Sequence, residues 1–348
     1  MRGVFNLFLL ASLLLGGINC QSPSSKPIMV QNGFYHWKSY LEIDSTASAY
    51  LSHLQSQKLY LRFFDIDWDD TRRMAVPLAV LSLAHPIPDS LQVIPTIFIT
   101  NRCMLQLPPE ALPELAQNIA QKLSSLWKGF PRHTLKEFQL DCDWSGKSRA
   151  NYFRLLELLA SELGDSVQLS ATIRLHQIKY ARQTGIPPVA RGMLMFYNTG
   201  EVDQWPTENS ILDLRTAQAY LGPLPKYPLP LDIALPLFRW GIVFRDDDLL
   251  HLVNGLDVNA LVDTSRFRSL SAQRYEVVRN TYLNGHYLYR GDRIRLESIA
   301  EQDLLEAAEL LKKNRANAPF SVVFYHLDAM MLSPYPPTLL EEVLRRME

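Results

Sequence analysis

Eight short runs of apolar, β-branched or aromatic residues recur along the chain, separated by segments with helical spacing. They occupy residues 28–37, 58–68, 92–100, 137–144, 167–175, 192–198, 231–240 and 320–329. Several are apolar at consecutive positions, as strands are when helices cover both faces of a parallel sheet. Between them, residues 108–127 open with prolines and acids, and 148–164 carry apolar residues at helical spacing before stopping at Gly164. Residues 303–317 run acid-first and base-last, the orientation that suits a helix dipole. Each of the three predicts a helix.

The first residues follow a different pattern. MRGVFNLFLLASLLLGGINC has one arginine, an apolar run, small residues and then Cys20. That order predicts an export signal over residues 1–19. The polar stretch QSPSSKP follows, so 20–27 reads as a tether, and the whole segment resembles a bacterial lipoprotein signal with the lipid on Cys20. Gly17 and Asn19 depart from that pattern, and secretion with an incidental Cys20 is the other reading. No later segment supplies the roughly 20 apolar residues of a membrane span. The expectation is an exported envelope protein, on the periplasmic or outer-membrane face, touching the membrane only through Cys20.

Strands alternating with helices over 28–348 predict one (β/α)8 TIM barrel. The surplus length falls at about 241–318, between the seventh and eighth strands, where alternation around Asn284-Gly285 predicts a hairpin. The acids of RDDDLL (245–250) read as the start of a helix. An open doubly wound sheet is the other architecture, but no glycine-rich phosphate loop follows the first strand. Net charge is −1, from 35 Lys+Arg against 36 Asp+Glu. That leaves no basic excess for a nucleic-acid backbone. Beyond Cys20 only Cys103 and Cys142 remain, too few for a disulfide framework. Cys142 is expected to face the outer helices.

A barrel of this kind works at the C-terminal ends of its strands. Those ends carry Tyr35, His36 and Trp37; Asp65, Asp67 and Asp69; Asp141, Asp143 and Trp144; Arg174 and His176. The later strands add Tyr197, Asn198 and Glu201, then Arg239 and Trp240, then Tyr325, His326 and Asp328. Aromatic rings stack on sugar faces while polar groups bond the hydroxyls, so this set predicts a carbohydrate ligand. The histidines have no metal-ligand spacing, and neither a metal nor a cofactor is expected. Asp232, at the start of its strand, is expected to be structural.

LDCDW and MFYN resemble strand-end signatures of chitinase-like glycoside hydrolases of family 18. The run YLRFFDIDWD, FQLDCDWS, LSATIRL and MLMFYNTG is similar to an uncharacterised family of bacterial envelope proteins of glycoside-hydrolase-like barrel type. The first resemblance implies that Asp143 orients the reacting group, Asp141 supports it and Tyr197 contacts it. It also puts the general acid at Ser145, whose hydroxyl is far too weak an acid for that role. Two outcomes follow. Another carboxylate supplies the proton, Asp67 first among Asp65, Asp69, Glu201 and Asp328; or the barrel binds glycan without cutting it.

Overall fold

The computed structural model describes residues 30–316 and 318–348. The expected signal, tether and Cys20 lie outside the described residues. Eight parallel strands close into a barrel: β1 (Gln31–His36), β2 (Lys58–Asp69), β3 (Gln92–Ile99), β4 (Glu137–Asp141), β5 (Gln168–Arg174), β6 (Arg191–Met195), β7 (Leu231–Pro236) and β8 (Ser321–Tyr325). Closure is direct, since β1 pairs with both neighbours in parallel, Tyr35 standing beside Tyr325 on one side and Tyr60 on the other. The protein is a (β/α)8 TIM barrel.

Helices Leu112–Trp127 and Arg149–Leu163 form where the spacing predicts them. Leu115, Ile119 and Leu123 of the first, with Leu155, Leu156 and Leu159 of the second, share one core with Phe138 and Leu140 of β4. Full burial of each such side chain stabilises the fold by about 1.5–3 kcal/mol. Cys142 is buried there too, as a free thiol. The third predicted helix spans Glu301–Asn314.

The barrel interior is polar at its floor. Asp232 accepts from Arg191 at 2.9 Å and from the Ser321 amide at 2.7 Å, and Lys58 lies 3.6 Å away. Glu137 accepts from Ser170 at 2.6 Å. These bonds offset the cost of burying the groups. They place Asp232 in a structural network at the foot of the barrel.

Between β7 and β8 the chain builds a five-stranded antiparallel sheet from Trp240–Arg245, Asp248–Asn254, Phe267–Ser271, Arg274–Val277 and Arg293–Glu297. It has its own small core around Val243, Phe267, Val277 and Ile294. A separate ribbon pairs Thr281–Leu283 with His286–Leu288 across Asn284-Gly285. Residues 245–250 do not start a helix. Asp246 and Asp247 make the turn between two of the sheet's strands, with φ of 51° and 71°. Two successive positive φ values close a tight hairpin, and Asp tolerates them better than most residues.

Candidate functional site

β4 is a buried strand whose alternate residues face inward, so Gln139 and Asp141 point into the barrel while Phe138 and Leu140 meet the helices. Gln139 sits lower and accepts a hydrogen bond from the Tyr35 hydroxyl. Asp141, 5% exposed, accepts from Thr172 Oγ1 at 2.5 Å, and Arg174 Nη2 approaches the same oxygen at 3.3 Å. Asp143 lies just past the strand end, mostly in solvent, and accepts from Arg174 Nε. One guanidinium therefore joins both carboxylates. Burial pushes the Asp141 carboxyl above its usual range, and the Arg174 charge opposes that only in part. The two acids hold the guanidinium firmly protonated against its own burial.

These groups form part of the wall of a cavity of about 710 Å³ at the C-terminal mouth of the barrel. Of the expected residues, Trp37, Asp65, Asp141, Asp143, Arg174, Tyr197, Asn198, Arg239, Trp240, Tyr325, His326 and Asp328 line it. Asp65 receives a two-pronged bond from Arg62, with Nε at 2.6 Å from Oδ1. Asp328 is paired with Lys38. The Arg174 guanidinium lies 6.0 Å over the Tyr197 ring, and Tyr197 meets Tyr325 at 5.4 Å. Trp240 donates its indole N–H to Glu297 at 2.7 Å, which fixes the ring against the wall. Arg239, alone among the four cavity cations, makes no ion pair among the described residues. His176 lines a side pocket of about 280 Å³ that shares Asp143, Arg174, Tyr197 and Asn198 with the main cavity.

Six expected residues stand elsewhere. Asp67 belongs to the part of β2 that climbs beyond the barrel and pairs antiparallel with Met74–Leu78. Its carboxylate accepts from Thr100 at 2.5 Å and from Arg102 Nη2 at 2.7 Å. Burial raises the pKa of this group, but those bonds outweigh it and hold the acid below its usual range. Asp69, beyond it, accepts from the Thr71 and Arg72 amides in the turn. Trp144 is fully buried, stacked on Tyr152 at 5.2 Å with its N–H on the Thr184 carbonyl. Trp144 has the parity of Phe138, Leu140 and Cys142, so it falls on the helix side and not at the mouth. Tyr35 is buried below Trp37, and His36 faces the carbonyls of Leu327 and Tyr40 at 3.2 and 3.0 Å. Glu201 lines a different cavity, with Asp213, Asp303 and Glu306.

Ser145 is also turned away from the cavity. Its amide donates to Ser148 Oγ at 2.9 Å, and Ser148 donates to Asn101 Oδ1 at 2.5 Å. Residues that sequence patterning missed include Lys38 and Arg62, the cations that pair Asp328 and Asp65, and Asn254, Gly255 and Asn284 from the insertion. Lys38 follows Trp37 directly and was within reach of a strand-end reading. The insertion residues carried no such signal, because only tertiary folding brings them over the mouth.

No family model matches the chain, and no curated protein matches it. Solved structures do. A spore cortex-lytic enzyme, SleL, from Bacillus cereus is similar at a TM-score of 0.53 and 14% identity, over 92% of this chain and 75% of that one. A chitinase from Chromobacterium violaceum gives 0.55 at 11% identity, over 91% and 99%. A mutant class V chitinase from Nicotiana tobaccum, solved with NAG4, gives 0.50 at 11%, over 91% and 98%. The structural neighbours are chitinase-like glycoside hydrolases built on a TIM barrel, and at these identities the likeness is one of fold.

Proposed function

We propose that the cavity binds a poly- or oligosaccharide and leaves its glycosidic bonds intact. One observation carries this reading: Arg174 bonds Asp143 and reaches Asp141, so neither acid at the end of β4 stands free of a cation. The other two acids of the wall are paired as well, Asp65 with Arg62 and Asp328 with Lys38. Most glycoside hydrolases use two carboxyl groups facing each other across the bond, roughly 5–9.5 Å apart, and the substrate-assisted scheme that the LDCDW motif implies still needs one carboxyl group to protonate the leaving oxygen. Ser145 supplies no such group. What remains suits recognition: Trp37, Tyr197, Tyr325 and Trp240 offer rings, and the paired charges and Asn198 offer hydrogen bonds to hydroxyls. The fold of the neighbours and the NAG4 bound to one of them support a sugar as the ligand.

Hydrolysis is the second reading, favoured by the Asp141 carboxyl, which burial raises above the usual aspartate range. The test is a glycan array with the soluble domain beginning after Cys20, run beside Asp141→Asn, Asp143→Asn and Arg174→Ala, with product analysis on each hit. Binding by wild type without products, lost in Arg174→Ala, supports the binding reading. Cleavage products that vanish in Asp141→Asn overturn it.

We also propose export and attachment through a lipid on Cys20, from the charge, length and order of the first 20 residues. Incorporation of labelled palmitate into wild type and not into Cys20→Ala tests this. Label in both, or in neither, overturns it.

A further inference from the structure

Three tyrosines stand on the outer face of the ribbon between Thr281 and Tyr289. Tyr282 is 66% exposed, Tyr287 40% and Tyr289 50%. Tyr282 lies directly opposite Tyr287 in the pairing, and Tyr289 follows two residues on, so the three share a face. Leu283 and Leu288, on the other face, are buried in the core of the insertion. The rings touch edge to face in sequence, Tyr282 to Tyr287 at 4.9 Å and Tyr287 to Tyr289 at 5.1 Å. Tyr289 is held further by Arg245, whose guanidinium lies 4.7 Å from the ring centre and is clamped by Asp292 at 2.8 and 2.9 Å.

A row of fixed, exposed rings is costly to leave bare unless something covers it. The position says what. The ribbon's turn residue Asn284 lines the main cavity, so the row starts at the cavity wall and runs outward from it. Its exposed surroundings are polar, Asn280, Asn284 and Arg290, and no aliphatic side chain of the ribbon is exposed. Apolar rings with hydroxyl tips among amides suit a pyranose chain, which alternates C–H faces with hydroxyls, better than an apolar protein surface. Because the rings are already held, little rotamer freedom is lost on binding.

We propose that Tyr282, Tyr287 and Tyr289 form a second platform for the same glycan as it leaves the cavity, so that the ligand is a polymer spanning both. This rests on the cavity being a carbohydrate site. The probes are chitin, β-glucan, polyuronate and peptidoglycan fragments, each presented as a disaccharide and as an octasaccharide. The proteins are wild type, Tyr282→Ala/Tyr287→Ala and Tyr282→Phe/Tyr287→Phe, each checked for an unchanged circular dichroism spectrum. Wild type and the phenylalanine pair should bind the long member about tenfold more tightly than the short one, a gain of the size two ring contacts supply. The alanine pair should lose that gain and still bind the short member as wild type does. If the alanine pair keeps the gain, or if wild type binds both lengths equally, the platform is wrong while the cavity reading stands. If wild type binds no fragment of either length, the cavity reading fails and takes the platform with it.

Discussion

Arg174 bonds Asp143 at the mouth of the barrel and reaches the buried Asp141 below it, so one side chain governs the charge of the cavity floor. Removing it strands a carboxylate in a site that cannot solvate it. Arg174→Ala should therefore lower stability by about 3 kcal/mol, the usual scale for breaking a buried pair from one side. Arg174→Lys should recover little of this, because an ammonium is a point charge and cannot reach two carboxylates as the planar fork does. Urea unfolding of the three proteins checks both statements. A lysine variant as stable as wild type would show that the fork geometry is unimportant.

Restoring the acid at the position the motif implies should not create a hydrolase. Ser145 follows the end of β4, and its amide and hydroxyl turn towards Ser148, at the start of helix Arg149–Leu163, whose hydroxyl in turn donates to Asn101. A glutamate there would lose the Ser145 hydroxyl contact and start outside the cavity wall. Ser145→Glu is expected to release no product from any bound glycan. Turnover would mean that the loop re-aims the side chain into the cleft.

Asp67 and Asp65 sit two residues apart yet should behave differently. Asp65 lines the cavity with Arg62, whereas Asp67 braces the hairpin through Thr100 and Arg102. Asp67→Asn should leave glycan affinity unchanged and cost about 1 kcal/mol, since the Arg102 pair is partly exposed. Asp65→Asn should weaken binding. Isothermal titration on both variants separates the two roles, and a loss of affinity in Asp67→Asn would return that residue to the site.

The barrel was legible because its strands are buried on both faces, which makes each one a continuous apolar run bounded by polar chain. The strand-end reading failed where parity or an overrunning strand took a side chain elsewhere. Trp144 stands at a strand end, but it shares the parity of Phe138, Leu140 and Cys142, and its ring packs against Tyr152 on the helix side. Asp67 lies on a strand that outruns the barrel rim and turns back as a hairpin. The contributions of Asn254, Gly255 and Asn284 depend on how the insertion leans over the barrel, and no local pattern encodes that. The acids of 245–250 fit a helix start and a two-residue turn equally well, and pairing with Asp248–Asn254 decides for the turn.

His326 makes the molecule sensitive to acid. The ring is 7% exposed, its Nδ1 has no hydrogen-bond partner among the described residues, and it lies 6.5 Å edge-on from His36. Burial lowers its pKa from 6.5 to about 4; Asp328 opposes this, while His36 and Lys38 add to it. The folded state therefore binds the proton less readily than the unfolded chain. The stability held above pH 6.5 is lost progressively as pH falls towards 4, where the unfolded state takes up the proton first. At pH 4.5 the loss from this residue should be on the order of 2 kcal/mol. His36 is lowered by burial as well and adds to the same trend, so replacing His326 should remove only part of it. The comparison is the fall in urea midpoint between pH 7 and pH 4.5 for wild type and for His326→Leu. A smaller fall in the variant is the expected result. Equal falls would mean that the ring finds solvent when protonated and that His36 and the carboxylates set the acid limit.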